Sequence, residues 1–316
     1  MIRATGIWTF GRGGITVRTL FLALKKWLFR YRISLNIALA FLLLSASFLL
    51  RYPFTVKAAS YSLLREFAKG EIYLKTWNWN TLKGTNFVLR YETGDAQVAD
   101  LVLQTAEEVF NPINEAFNYN QDEQVLLVMY PTKASLNKSF GWDADENAMG
   151  VYWAGSIRIL SPLAWIEDVE KIEQEFREQG PIAHEYTHLV VDYLTKGNYT
   201  RWLTEGVAQY MERELTGFAF PALDTVNREE LYSLAEMTSN FDNLPDQSLA
   251  YHESLAAVDY YVDRFGFDAL VKLLHDLGSG KSLEQALEEN SGLNLTSFEA
   301  LVADYILAGS ENNRSN

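Results

Sequence analysis

The chain has 316 residues, 48% of them hydrophobic, and no cysteine. That is enough apolar material for one large domain or two lobes sharing a core. The lack of cysteine excludes disulfides, thiolate metal sites and a cysteine nucleophile. The net charge of −14 is unevenly spread: residues 1–51 hold eight of the 27 Lys and Arg residues and none of the 41 Asp and Glu residues. The body is therefore strongly acidic and lacks the basic footprint that nucleic acid requires, which excludes nucleic-acid binding as its main function.

Residues 1–32 form a basic tail, and residues 33–50 that follow carry no charge. Eighteen helical residues span about 27 Å, just enough for a hydrocarbon core. The basic flank precedes the span. This predicts a transmembrane signal anchor at 33–50, with the N-terminus cytoplasmic and the body extracytoplasmic, in a single-pass cell-membrane protein. The rival is a cleaved signal peptide, for which the small-residue site Ala58-Ala59-Ser60 stands well past the span. Residues 51–83 read as a connector with a helical piece at Ser62–Ala68 and two tryptophans, Trp77 and Trp79.

Asn86–Tyr91 then reads as a strand, Ala96–Phe117 as an amphipathic helix, Gln124–Tyr130 as a short apolar strand, and Gly150–Leu160 as a strand or hairpin with a glycine break. From Trp165 onward the pattern is helical: Glu167–Arg177, Pro181–Thr195, Arg201–Leu215, and segments near Arg228–Met237, Gln247–Phe265, Phe267–Leu277, Ser282–Asn290 and Ser297–Leu307. Residues 309–316 are polar and read as a disordered tail. The expected fold is α+β, with a small N-terminal lobe of mixed sheet and helix followed by a mainly helical lobe.

The chemistry concentrates in His184-Glu185-Tyr186-Thr187-His188, an H-E-x-x-H pattern that uses two of only four histidines. On a helix, residues i and i+4 share a face, so His184 and His188 aim two imidazoles at one point, as a Zn²⁺ ion needs. Glu185 stands beside them as a candidate general base. A catalytic zinc site needs a third protein ligand. Asp192 lies four residues further along the same face, but the helix rises about 12 Å from 184 to 192, too far for one ion. His275 sits on a distant amphipathic helix and reads as an ordinary histidine. Glu205, in Trp202-Leu203-Thr204-Glu205-Gly206-Val207-Ala208, is the best candidate: a helix that doubles back can carry its carboxylate to the open side of the metal. Gly206 and Ala208 would let that helix pack closely.

H-E-Y-T-H followed by W-L-T-E-G-V-A resembles the gluzincin metallopeptidases, whose M1 aminopeptidase branch has the form W-L-x-E-G-x-A. The order of the Gly150–Leu160 hairpin, the two metal motifs and the run from Phe265-Gly266 to Leu287 is similar to the bacterial extracytoplasmic peptidase MA-like proteins. The likeness covers about residues 84–308, and the G-x-M-E-N loop of aminopeptidases is absent. The resemblance implies a zincin-type catalytic domain over 84–308. One Zn²⁺ per chain would be held by His184, His188 and Glu205, with Glu185 as the base and a peptide or protein as substrate. Tyr251, in Tyr251-His252-Glu253-Ser254, resembles the tyrosine that stabilises the tetrahedral intermediate in the aminopeptidase branch, and His252 is its rival donor. The Gly150–Leu160 strand could pair with an extended peptide. The alternative is a catalytically inactive zincin-fold module serving in binding or structure. The sequence leaves the oligomeric state open.

Overall fold

A computed structural model describes residues 51–144, 147–220 and 227–314, together with Lys25, Leu39, residues 41–43 and Ser47. The transmembrane segment expected at 33–50 lies almost wholly outside the described residues. Among those described, no helix is long and apolar enough to cross a membrane.

Three largely apolar strands form the centre of a five-stranded sheet. These are β2 (Phe87–Tyr91), β3 (Val125–Tyr130) and β5 (Ser156–Leu160), and all but one of their residues are buried. They run parallel, with Phe87 opposite Val125 and Leu127 opposite Ile157. Burial on both faces is what a central parallel strand demands, and it explains why β3 is apolar throughout, while the buried polar residues Arg90, Ser156 and Arg158 interrupt β2 and β5. Two antiparallel strands close the sheet, β1 (Asn80–Lys83) on β2 and β4 (Gly150–Trp153) on β5, giving the order β1-β2-β3-β5-β4. The β4–β5 hairpin turns through Ala154 and Gly155, both at positive φ (46° and 82°). That is the backbone of a two-residue primed turn, whose twist matches the strands.

The pleat divides the side chains. Phe87, Leu89, Leu127, Met129, Ile157 and Ile159 point into the main core, while Leu126, Val128, Tyr130 and Leu160 point to the other face. The first set meets α2 (Ala96–Ala116) and later helices. The second meets Ile72 of α1 (Pro53–Lys75) and Leu136 of α3 (Lys133–Phe140). The rest is helical: α4 (Ile172–Gln179), α5 (Ile182–Thr195), α6 (Arg201–Thr216), α7 (Leu234–Asn240), α8 (Gln247–Phe265), α9 (Phe267–Gly278), α10 (Leu283–Ser291) and α11 (Leu295–Arg314). The fold is α+β, as expected, but one continuous core runs from Phe87 in the sheet to Ile306 in α11, joining the two expected lobes.

Two boundaries differ from the sequence reading. The compact unit begins at Lys57, so the segment 51–83 read as a connector supplies a long helix and an edge strand. The tail expected to be disordered from 309 is helical through Arg314.

Helix α5 is the axis of the molecule, with twelve of its residues buried. Tyr186 packs its ring on Phe87 and Phe110, with centroids 5.3 and 5.5 Å away, and its hydroxyl donates to Asn114 Oδ1 at 3.0 Å. Losing such an aromatic side chain costs about 3–5 kcal/mol. Two glycines admit neighbouring backbone. A Cβ on Gly206 of α6 would lie 2.1 Å from the Ser254 carbonyl oxygen of α8. A Cβ on Gly278 of α9 would lie 2.0 Å from the Leu194 carbonyl oxygen at the end of α5. Asn198 adds to that junction by donating to the carbonyls of Leu277 and Lys281.

Candidate metal centre

Helix α5 places His184, Glu185 and His188 on its side toward α6 and β4. The helix can follow Gly180 directly because Pro181, which lacks an N–H, occupies the N-cap position. The two imidazoles meet at Nε2, 3.1 Å apart. Glu205 of α6 brings Oε2 to 3.3 Å from His184 Nε2 and 3.6 Å from His188 Nε2. These three residues form the one potential metal-binding group of three or more His, Asp or Glu residues among the described residues, with all ligand atoms within 4.8 Å of one another.

The outer atoms of the triad are anchored. His184 Nδ1 lies 3.1 Å from Glu212 Oε2; a carboxylate accepts, so Nδ1 is the donor of that pair and Nε2 is the atom turned to the triad. His188 Nδ1 contacts the Thr204 hydroxyl at 2.7 Å. Glu205 Oε1 pairs with Arg201 at 3.0 Å, and Arg201 also reaches Asp242 at 3.4 Å. Glu205 Oε2, by contrast, is buried and accepts no hydrogen bond. An orphaned carboxylate oxygen facing two imidazole nitrogens is costly unless a cation stands between them. Ligand atoms about 2.0–2.1 Å from a tetrahedral zinc lie roughly 3.3–3.4 Å from one another, close to the three separations found here. The donor set, two imidazoles and one carboxylate, suits zinc.

Charge distribution follows the same plan. Burial pushes the Glu205 carboxyl up, but His188, Arg201 and His184 together hold it well below the usual carboxylate range. Burial disfavours a charged His184, yet the carboxylates of Glu205 and Glu212 raise its proton affinity well above that of a free imidazole. Glu185 behaves differently. Burial raises its pKa, and the nearby histidines and the Tyr152 N–H offset only part of that. A carboxylate with raised proton affinity is suited to accept and return a proton near neutral pH.

Glu185 is fixed by the sheet. Its Oε2 accepts the backbone N–H of Tyr152 in edge strand β4 at 2.5 Å. Gly150 makes the approach possible, because a Cβ there would lie 2.6 Å from Pro181 Cβ and 2.8 Å from Glu185 Cγ. Strand β4 is in turn pinned by the Tyr152 hydroxyl, which donates to Asp192. Asp192 is therefore no ligand. It is buried and bonded by Arg65 of α1 through Nε (2.9 Å) and Nη2 (2.9 Å), and Arg65 Nη2 also reaches the Asp192 carbonyl at 3.0 Å. The guanidinium stacks on the Tyr193 ring at 4.2 Å.

Tyr251 lies near the start of α8, its ring against Phe241 and Phe220. Burial first, then the charges of Glu205 and Glu185, raise its hydroxyl pKa, while Arg201 lowers it. The hydroxyl therefore stays protonated. His252 is lowered by burial and senses Asp259 instead. His275 is exposed on α9, away from the cluster.

Sequence reasoning missed Thr204, Glu212, Arg201 and the Tyr152 N–H. Glu212 had a readable signal: it lies seven residues after Glu205, two turns along one helix face. A backbone donor has none. No curated protein matches the chain. A family model described as the Peptidase MA superfamily matches residues 125–308, a span that holds the hairpin, both motif helices and Tyr251. That match covers more than half of the chain, and with the His–His–Glu cluster at its centre it carries the conclusion: the protein belongs to the Peptidase MA superfamily.

Proposed function

We propose that the protein is a zinc-dependent metallopeptidase that hydrolyses peptide bonds in a peptide or protein substrate. In this reading it is anchored through residues 33–50 and carries its catalytic domain outside the cytoplasm. The observation that carries the catalytic reading is the buried Glu205 Oε2, which accepts no hydrogen bond and faces His184 Nε2 and His188 Nε2, with Glu185 alongside.

His184, His188 and Glu205 would hold the ion, which would act as a Lewis acid and make water nucleophilic near neutral pH. Glu185 takes the proton from the attacking water and returns it to the leaving nitrogen. Its burial and its bond to the Tyr152 N–H keep the carboxylate oriented for both transfers. Tyr251, protonated and half-buried, donates to the oxygen that gains negative charge. Strand β4 is the outer strand of the sheet and runs along α5, so an extended peptide can add to it beside Glu185.

Metal analysis of the purified chain and its variants tests this. One zinc per chain is expected. Glu185→Gln should keep zinc and abolish hydrolysis of a quenched peptide library, and retained turnover would remove Glu185 as the base. Glu205→Ala should lose zinc, and unchanged occupancy would place the third ligand elsewhere. Zinc without hydrolysis in the wild type would favour the inactive zincin module.

A further inference from the structure

Helix α1 is apolar on two opposite faces. One face packs on the domain through Arg65, Ala68 and Ile72, all buried. Directly opposite, at helical spacing, stand Ala59, Leu63, Phe67, Gly70 and Leu74. Leu63, Phe67 and Leu74 are 73%, 74% and 76% exposed, and Trp77 just beyond the helix is 78% exposed. A row of four large apolar side chains in water needs a partner. From Ala59 to Leu74 it is about 22 Å long.

What covers it follows from the charges and from the chain before it. The acids flanking the row are neutralised, Glu66 by Lys69 at 2.9 Å and Glu71 by Lys75 at 2.7 Å. Among the described residues of the helix, no acid beside the stripe lacks a lysine partner, on a chain that is otherwise acidic. Aromatic residues border it instead, Tyr73 and Trp77, of the kind that settles at headgroup depth. The uncharged segment 33–50 ends only three residues before Pro53. So short a link spans about 10 Å and keeps the first turn of α1 close to wherever that segment leaves the bilayer.

We propose that the outer face of α1 lies in the interfacial layer of the membrane, with Leu63, Phe67 and Leu74 dipping among the acyl chains and Trp77 at headgroup depth. This rests on the anchoring reading above and extends it: the catalytic domain does not swing on a tether but is laid against the bilayer through one helix. Arg65, on the buried face of the same helix, then fixes the domain to that platform through Asp192.

The absence of cysteine makes the test direct, because a single introduced thiol can be labelled uniquely. Leu63→Cys, Phe67→Cys and Leu74→Cys, with Glu284→Cys as a distant exposed control, are prepared in the full chain, labelled with an environment-sensitive fluorophore and reconstituted in phosphatidylcholine vesicles. All four sites are exposed, so labels leave the core intact. The expected result is quenching of about twofold or more by acyl-chain spin-labelled lipid at 63, 67 and 74 and none at 284. If the chain floats with the vesicles but the three α1 labels remain water-exposed and unquenched, the surface proposal is overturned and anchoring stands. A chain that does not float with vesicles overturns both. Pyrene labels at 67 that form excimers without lipid quenching would show that a second copy covers the face, which also overturns the proposal.

Discussion

Arg65→Met tests whether the buried Arg65–Asp192 pair is a structural hinge pin. The substitution keeps much of the stem volume but removes both side-chain bonds to Asp192, the bond to its carbonyl and the stack on Tyr193. Asp192 would remain buried with only the Tyr152 hydroxyl as partner. Removing one member of a buried ion pair costs about 3–5 kcal/mol, because the other charge is left uncompensated. At roughly 2–4 °C per kcal/mol for a domain of this size, the midpoint of thermal unfolding should drop by about 10 °C. Asp192→Asn in the Arg65→Met background removes the stranded charge while keeping an acceptor for Tyr152, so the double variant should recover part of the loss. A double-mutant cycle followed by circular dichroism should give a coupling of at least about 2 kcal/mol. A shift below about 2 °C for Arg65→Met, or strictly additive variants, would refute the reasoning and make the pair incidental.

Other outcomes follow from particular contacts. Glu212→Ala and Thr204→Val each remove an outer partner of a histidine, and each should weaken zinc binding by about 10–100-fold in chelator competition; unchanged affinity would mean the imidazoles are oriented by packing alone. Gly150→Ala should lower peptide hydrolysis at unchanged zinc content, since the new methyl collides with Pro181 and Glu185; full turnover would show that strand β4 can retreat without disturbing Glu185. Glu253 is a buried carboxyl whose pKa is pushed up to about 7 by burial, with the Tyr232 N–H offsetting part and Glu299 and Glu236 adding to it. The folded state thus holds this proton more tightly than the unfolded chain, so this group's contribution falls as pH rises from about 4.5 to about 7. Glu253→Gln should therefore gain stability over wild type between pH 5 and pH 8, by up to about 3 kcal/mol; a gap that stays constant across that range would contradict the assignment.

The motif helix, its two histidines and the returning glutamate were legible because each rests on a local rule: i to i+4 spacing, a helix start at Pro181, small residues where helices cross. Strands β2 and β3 were legible as short, mainly apolar runs, and β4 and β5 as one stretch with a glycine break. Helix α1 was read only as a fragment, since apolar residues on opposite faces blur the single stripe on which helical periodicity depends. Helix α3 was missed because its capping box uses Ser135 at the third position rather than the usual glutamate. The segment Arg228–Met237 was read as one helix, but the chain makes a short 3₁₀ turn at Arg228–Glu230 and starts afresh at Leu234, where Ser233 caps it. Contacts such as Tyr152 N–H to Glu185 and Arg65 to Asp192 join residues 33 and 127 positions apart, and no local pattern carries that information.

The glycines at the helix crossings bear on how the site would lose and regain its ion. Gly206 locks the carrier of Glu205 against α8, and Gly278 locks the end of α5 against α9. Helices held backbone to backbone leave little room to slide, so the ligand triangle belongs to the resting architecture and would not have to assemble on metal entry. Small zinc domains melt when their ion is stripped, because binding energy is folding energy there. Here the fold rests on a large apolar core rather than on three ligand bonds, so chelation is expected to act as a reversible off-switch, with zinc readmitted to a frame already in place.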